Sequence, residues 1–225
     1  MAVVALIPAA GVGARFHDSG PKALVKLAGK PFLLHALERL AASGRVDRAV
    51  VAVSPGHEAA FAAVLSGFSA MPVATTPGGE TRRDSVVAAW RASGAADGDL
   101  LCVHDAARPL VEPTDVAAVV DAAAQHGAAL AGSPVTDTVK RVRDGVVVET
   151  VPRHDLFAAA TPQVLRAGLL REAVEAGLPD ATDDVELLER RGVAVRTVVT
   201  SRWNVKITFP EDLARAEAWL AAVRP

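Results

Sequence analysis

A single cysteine, Cys102, stands in the 225 residues, so no disulfide can form within the chain. That usage fits a reducing compartment. Neither charge sign is in excess: 24 Lys and Arg face 26 Asp and Glu, for a net charge of -2. A general nucleic-acid binder needs a basic face to neutralise phosphates, so that class is disfavoured, while a local basic site for a small phosphate ligand stays open. No stretch reaches the roughly 18 apolar residues of a membrane helix. The first apolar run, Ala2-Val3-Val4-Ala5-Leu6-Ile7, is short, has no basic segment before it and is halted by Pro8. The expectation is a cytosolic protein without membrane contact. There is no His/Cys cluster with zinc spacing. Repeats, low-complexity tracts and linkers are also missing, so one domain over residues 1–225 is the economical expectation.

What is present is apolar sequence in short blocks. Hydrophobic residues make up 51% of the chain, enough for a sizeable core. Val3 to Ile7, Arg48 to Val53, Leu100 to Val103 and Ala128 to Ala131 are apolar almost throughout, as strands covered on both faces should be. Amphipathic stretches alternate with them: Pro31 to Ala42, His57 to Leu65, Arg83 to Ala92 and Pro113 to Gln125. Pro31 and Pro113 suit first helical turns, and Gly44 and Gly127 suit helix ends. Strand and helix in alternation predict an α/β fold with a mostly parallel sheet flanked by helices. The pattern breaks at about 134–153. Thr136 to Val142 and Val146 to Val151 flank Arg143-Asp144-Gly145, a hairpin signal. Such an insertion is either an arm reaching a partner subunit or an extra hairpin folded onto its own domain. Helices are expected again at Arg166 to Ala176 and Asp183 to Arg190. Strands follow at Val193 to Val199 and Asn204 to Ile207, and a helix from Pro210 to Val223.

The chemistry begins after the first strand. Pro8-Ala9-Ala10-Gly11-Val12-Gly13-Ala14-Arg15 leads on to Gly20-Pro21-Lys22. Small residues let backbone N–H groups approach phosphate oxygens closely, and ligands of open α/β sheets bind beyond the carboxyl ends of strands. Phe16 stands where a dinucleotide fingerprint needs its third glycine, and no Gly-Lys-Ser/Thr follows, so neither that motif nor a P-loop is present. Arg15 and Lys22 instead flank the loop as two cations. They suit a triphosphate whose α-phosphorus is under attack, since charge grows on its equatorial oxygens. A tight turn with two solvated basic residues is the plain alternative.

Further polar clusters follow in order: Gly78-Gly79-Glu80-Thr81-Arg82-Arg83-Asp84-Ser85, His104-Asp105-Ala106-Ala107-Arg108-Pro109, Thr161-Pro162-Gln163, Thr182-Asp183-Asp184 and Asn204-Val205-Lys206-Ile207-Thr208. As an ordered set running from Pro8 to Leu213, they resemble the 2-C-methyl-D-erythritol 4-phosphate cytidylyltransferases. The resemblance implies a Rossmann-like nucleotidyltransferase (GT-A-like) fold whose hairpin is a dimerisation arm. It implies that Pro8, Ala9, Ala10, Gly11 and Gly13 wrap CTP, that Gly79, Glu80 and Ser85 read the cytosine, and that Ala106 lies against the ribose. Asp105 would sit near the metal and the sugar hydroxyls, although an Asp in that place also caps turns. Arg108 would touch the methylerythritol, or pair with Asp105. Thr138 and Arg153 would hold the acceptor's 4-phosphate across the subunit boundary, with Lys206 as the second acceptor-positioning cation. Thr182 would touch the acceptor hydroxyls, or cap a helix. The catalytic set is then Arg15, Lys22, Arg153 and Lys206. Phe16 stands where the family leads one to expect Met, and Pro152 where Asp is common before Arg153.

The implied reaction joins CTP and methylerythritol phosphate into a CDP-alcohol with loss of pyrophosphate. Its nucleophile is already a phosphate dianion and needs no general base, which agrees with the absence of an obvious catalytic His or Glu. Mg²⁺ is the implied cofactor, bound mainly through phosphate oxygens. His104 and Cys102 suit structural roles, and Trp90, Trp203 and Trp219 suit core or interface. The rivals are a ribitol-5-phosphate cytidylyltransferase, a sugar-1-phosphate nucleotidyltransferase and a non-catalytic nucleotide-binding regulator.

Overall fold

The computed structural model describes residues 1–11, 20–177 and 183–223. In chain order its elements are β1 (Val3–Ala9), β2 (Lys26–Leu27), β3 (Lys30–Pro31), α1 (Phe32–Ala42), β4 (Arg48–Val53), α2 (Glu58–Leu65), β5 (Val73–Pro77), α3 (Arg82–Ser93), β6 (Leu100–Val103), α4 (Pro113–His126), β7 (Ala128–Pro134), β8 (Val139–Arg143), β9 (Val146–Val151), β10 (Phe157–Arg166), α5 (Ala167–Glu175), α6 (Glu186–Glu189), β11 (Arg196–Val199) and α7 (Pro210–Val223).

Seven strands form one sheet in the order β11-β7-β10-β6-β1-β4-β5. Every neighbour pair is parallel except those of β10, which runs antiparallel to both β6 and β7. Alternate side chains of β1 serve opposite faces. Val3, Ala5 and Ile7 pack with Leu33, Leu37 and Leu40 of α1, Phe61 of α2 and Val116 and Val119 of α4. Val4 and Leu6 pack with Val86 and Ala89 of α3, Leu170 of α5 and Leu187 of α6. Covering on both faces is why the strand sequences are apolar without alternation. A third cluster seats α7 through Ala216, Trp219 and Leu220 on Leu27, Phe32, Leu110 and Ile207.

The expected α/β architecture is present, with local corrections. β5 and β10 escape a reading by hydropathy, because Thr75 and Thr76 interrupt the first and Thr161, Pro162 and Gln163 follow the short apolar start of the second. Asn204 to Ile207 is not a strand. It is an extended segment without a ladder, fixed by the Ile207 N–H donating to the Ala107 carbonyl at 2.9 Å and by the Asn204 side chain. β11 begins at Arg196 rather than Val193, and α6 at Glu186 rather than Asp183. Pro113 occupies the first turn of α4, but Pro31 stands just before α1 and pairs with Lys26 instead.

β8 and β9 form a separate two-stranded ribbon. Asp144 and Gly145 at its tip have φ of 48° and 78°, the left-handed pair that a tight two-residue hairpin turn demands. Val142, Val146, Val147 and Val148 of the ribbon are all at least half exposed. No helix among the described residues is long and apolar enough to cross a membrane.

Candidate active site

At the carboxyl ends of β1, β5 and β6 the chain leaves a cavity of about 240 Å³. Its walls come from distant parts of the sequence. Pro8 and Ala9 end β1 and Ala10 and Gly11 follow it, Gly79 and Glu80 belong to the turn into α3, and Ser85 lies in its first turn. Asp105 and Ala106 follow β6, and Lys22 and Lys206 complete the rim. Eleven residues singled out from sequence therefore meet in one place. Arg108 lies beside it on the same loop as Asp105. Thr138 and Arg153 do not line it: both are exposed at the base of the ribbon, where the Arg153 guanidinium donates to the Thr136 carbonyl. Gly13, Arg15 and Thr182 lie outside the described residues.

Close packing shapes the nucleotide side. The Gly78 N–H donates to the Val53 carbonyl at 2.8 Å. A Cβ at Gly78 would fall 2.4 Å from Cβ of Ala10, so only glycine lets the two loops touch. Thr81 and Asp84 cap α3 reciprocally: the Asp84 N–H donates to the Thr81 hydroxyl at 3.0 Å, and the Thr81 N–H to the Asp84 carboxylate at 3.1 Å. The Ser85 hydroxyl donates to the Thr81 carbonyl at 3.1 Å and accepts from the Gly79 N–H at 3.2 Å. The turn is thus held in shape with a hydroxyl lone pair to spare.

Asp105 is the electrostatic centre. Its Oδ1 accepts from Arg82 Nε at 3.0 Å, and its Oδ2 pairs with Lys206 Nζ at 2.8 Å. Burial would raise the carboxyl pKa, but Arg82, Lys206 and Arg108 outweigh it and hold it well below the usual carboxylate range. Arg82 reaches further, donating through Nη2 to Asp184 Oδ2 at 2.8 Å. Burial works against the Arg82 charge, and the two carboxylates more than restore it. Burial also pushes the Asp184 carboxyl up, beyond what its bond to Arg82 takes back. Gln163 fixes that turn by accepting from the Asp184 and Val185 N–H groups at 2.9 and 3.2 Å.

His104 braces the same loop from below. Its Nε2 lies 3.2 Å from the Arg108 carbonyl, which requires a proton on that nitrogen. Its Nδ1 then accepts from the Thr161 hydroxyl at 3.2 Å, and that hydroxyl accepts from the Asp105 N–H at 3.0 Å. Burial pushes the ring down to about 4, so it is neutral at physiological pH and suited to bracing rather than proton transfer. The Thr161 carbonyl accepts from the Asn204 side chain at 2.8 Å, and Arg108 donates to the Asn204 carbonyl at 2.7 Å. Two residues on, Lys206 is delivered to the rim.

Arg82, Asp184 and Thr161 stand inside clusters that the sequence flags, yet no role attaches to them there. Adjacent Arg82 and Arg83 cannot be told apart by pattern, because the turn of α3 decides which one faces inward. Among the described residues no three His, Cys, Asp or Glu side chains gather as a metal cage. Glu80 and Asp105 are the acidic side chains of the cavity wall, a donor set that fits a cation held mostly by a ligand's phosphates.

The described geometry matches known proteins along its whole length. The family model for 2-C-methyl-D-erythritol 4-phosphate cytidylyltransferase (IspD) matches residues 3–222. A protein of that name from Chromobacterium violaceum is 43% identical, covering 98% of each chain. One from Pelotomaculum thermopropionicum is 42% identical, over 98% of this chain and 94% of its own. The crystal structure of the Thermus thermophilus enzyme of that name superposes with a TM-score of 0.80 at 36% identity, covering 99% of this chain and 100% of its own. The chain belongs to the 2-C-methyl-D-erythritol 4-phosphate cytidylyltransferase family.

Proposed function

We propose that this chain transfers the cytidylyl group of CTP to 2-C-methyl-D-erythritol 4-phosphate, in non-mevalonate isoprenoid biosynthesis. An oxygen of the acceptor phosphate bonds to the α-phosphorus of CTP. The bond from that phosphorus to the bridging oxygen breaks, and pyrophosphate leaves. The other product is 4-diphosphocytidyl-2-C-methyl-D-erythritol. One observation carries this function: Lys22 and Lys206, 184 positions apart by their numbering, share one cavity with the Pro8–Gly11 loop and the Gly79–Ser85 turn. Two cations around a small-residue loop neutralise the charge that builds on a transferring phosphoryl group, and they do so without a proton relay.

In this scheme the loop N–H groups, Arg15 and Lys22 grip the triphosphate, and Gly79, Glu80 and Ser85 read the base. Asp105 and Ala106 meet the ribose. Arg108 and Thr182 meet the acceptor's carbon skeleton. Lys206 aims the attacking phosphate. Mg²⁺, bound chiefly through the triphosphate oxygens, supplies further charge neutralisation when present. Thr138 and Arg153 of one protomer hold the 4-phosphate in the site of its partner, so the working unit is a cytosolic homodimer joined through the ribbon. The exposed valines of the ribbon support that association.

A turnover panel tests the function: each of the four nucleoside triphosphates with methylerythritol phosphate and with ribitol 5-phosphate, read as pyrophosphate release. CTP with methylerythritol phosphate is expected to lead by orders of magnitude. Faster turnover with ribitol 5-phosphate would reassign the acceptor. CTP binding without turnover on either acceptor would make the chain a nucleotide-binding regulator.

A further inference from the structure

Arg82 occupies an uncomfortable position for a cation. It opens α3, a 12-residue helix, where the positive end of the helix dipole disfavours it. Two carboxylates, the Asp105 and Asp184 side chains, offset that penalty at 3.0 and 2.8 Å and are only 11% and 6% exposed. With Lys206 on the far side of Asp105, charges alternate in a row: Asp184, Arg82, Asp105, Lys206. Arg108 and Asp183 are the other charged groups felt by these carboxylates.

The row is closed only while Lys206 rests on Asp105. If Lys206 turns to a phosphate, Arg82 becomes the one direct cationic partner of both carboxylates among the described residues. Without Arg82, Asp105 would have both oxygens free to clasp Lys206, and the lysine would be held back from its phosphate. A buried carboxylate stripped of its partner is costly, so the lysine would leave reluctantly.

We infer that Arg82 is a positioning residue for the transfer: by occupying Oδ1 of Asp105 it confines Lys206 to Oδ2 and keeps Asp105 compensated when Lys206 moves to the acceptor phosphate. The inference rests on the cytidylyltransferase function proposed above. Arg82 acts through Asp105 and Lys206, and its link to Asp184 anchors it.

Three variants test it: Arg82→Gln, Arg82→Lys and the double variant Arg82→Gln/Asp184→Asn. Each is measured by thermal melting and by kcat and the two KM values from pyrophosphate release. Arg82→Gln should lose kcat by at least about tenfold, with a smaller change in the CTP KM, and should melt earlier. Arg82→Lys should recover part of kcat, because one ammonium cannot span two carboxylates as a guanidinium does. The double variant removes the orphaned Asp184 charge. It should regain most of the melting temperature while kcat stays low, since Oδ1 of Asp105 is still open to Lys206. If Arg82→Gln melts too early to assay, the double variant carries the comparison. Wild-type kcat in the double variant would overturn the inference and reduce Arg82 to a counter-ion for Asp184. A wild-type chain that releases no pyrophosphate from CTP and methylerythritol phosphate would instead fail the underlying function.

Discussion

The cavity and the ribbon solve opposite problems with the same residue types. Around the cavity, charge is buried and closed on itself: Asp105 and Asp184 are all but covered, and each meets a cation within 3.0 Å. On the ribbon, charge is exposed and apolar surface is exposed with it. Arg141 and Glu149 pair at 2.6 Å with more than half of each side chain in solvent, alongside Val146 at 65% and Val147 at 57% exposure. A short range of buried charges holds side chains in place and makes each of them expensive to lose. An exposed ribbon with apolar side chains has little to hold it within its own chain, and the proposed dimer would supply what is missing.

That contrast can be broken from either side. The largest effect should come from Lys22→Ala. Removing one preorganised cation from the site of developing charge should cost about 10²–10³-fold in kcat, with a much smaller loss of CTP binding. Steady-state kinetics decides, and a raised KM with unchanged kcat would reduce Lys22 to uniform binding.

His104 comes next. Its pKa falls from 6.5 when unfolded to about 4 when folded, because burial disfavours the charged ring. Stability from keeping it neutral is complete above about pH 6.5 and is lost as the pH falls towards 4, a span worth about 3 kcal/mol at most. Melting curves across that window should show a slope that His104→Gln lacks. An identical slope in the variant would place the titrating group elsewhere.

On the ribbon, Val147→Asp should leave the melting of the main sheet unchanged while weakening self-association. Sedimentation should show monomer, with turnover down about tenfold, since the proposed dimer would have to bury a new charge among the ribbon valines. Full activity in a monomer would detach the ribbon from the site. The smallest effect belongs to Arg141→Ala: breaking an exposed pair should change stability by no more than about 0.5 kcal/mol by denaturant titration. A larger change would place this ion pair, and not only the valines beside it, inside the proposed dimer interface.

Most of the parallel sheet could be read from sequence because burial on both faces writes itself as unbroken apolar runs, as in Val3 to Ile7 and Leu100 to Val103. β10 could not. Phe157 to Arg166 mixes Thr161, Pro162 and Gln163 into the strand, and the two polar side chains can be buried because Thr161 accepts from the Asp105 N–H and Gln163 from the Asp184 and Val185 N–H groups. Extended backbone at Asn204 to Ile207 looked like a strand for the converse reason: its partners are a loop carbonyl and side chains, which hydropathy does not register. In the site, the Pro8–Gly11 loop and the nearby Lys22 stand out by residue type, whereas Lys206 and the Gly79–Ser85 turn are singled out through the family resemblance; the structure brings all of them to one cavity. Arg82 was not, since its meaning lies in two carboxylates brought to it by the fold.

The ribbon leaves the sheet between β7 and β10, and these two strands are already partners at its root, with Phe157 opposite Pro134. Everything between those residues is a detour from a ladder that closes without it. Excision of the ribbon and its replacement by a tight turn would therefore preserve the register of the sheet and the lining of the cavity. The sheet and the cavity lining would thus survive the loss of the ribbon, whereas the acceptor contacts proposed for Thr138 and Arg153 would go with it.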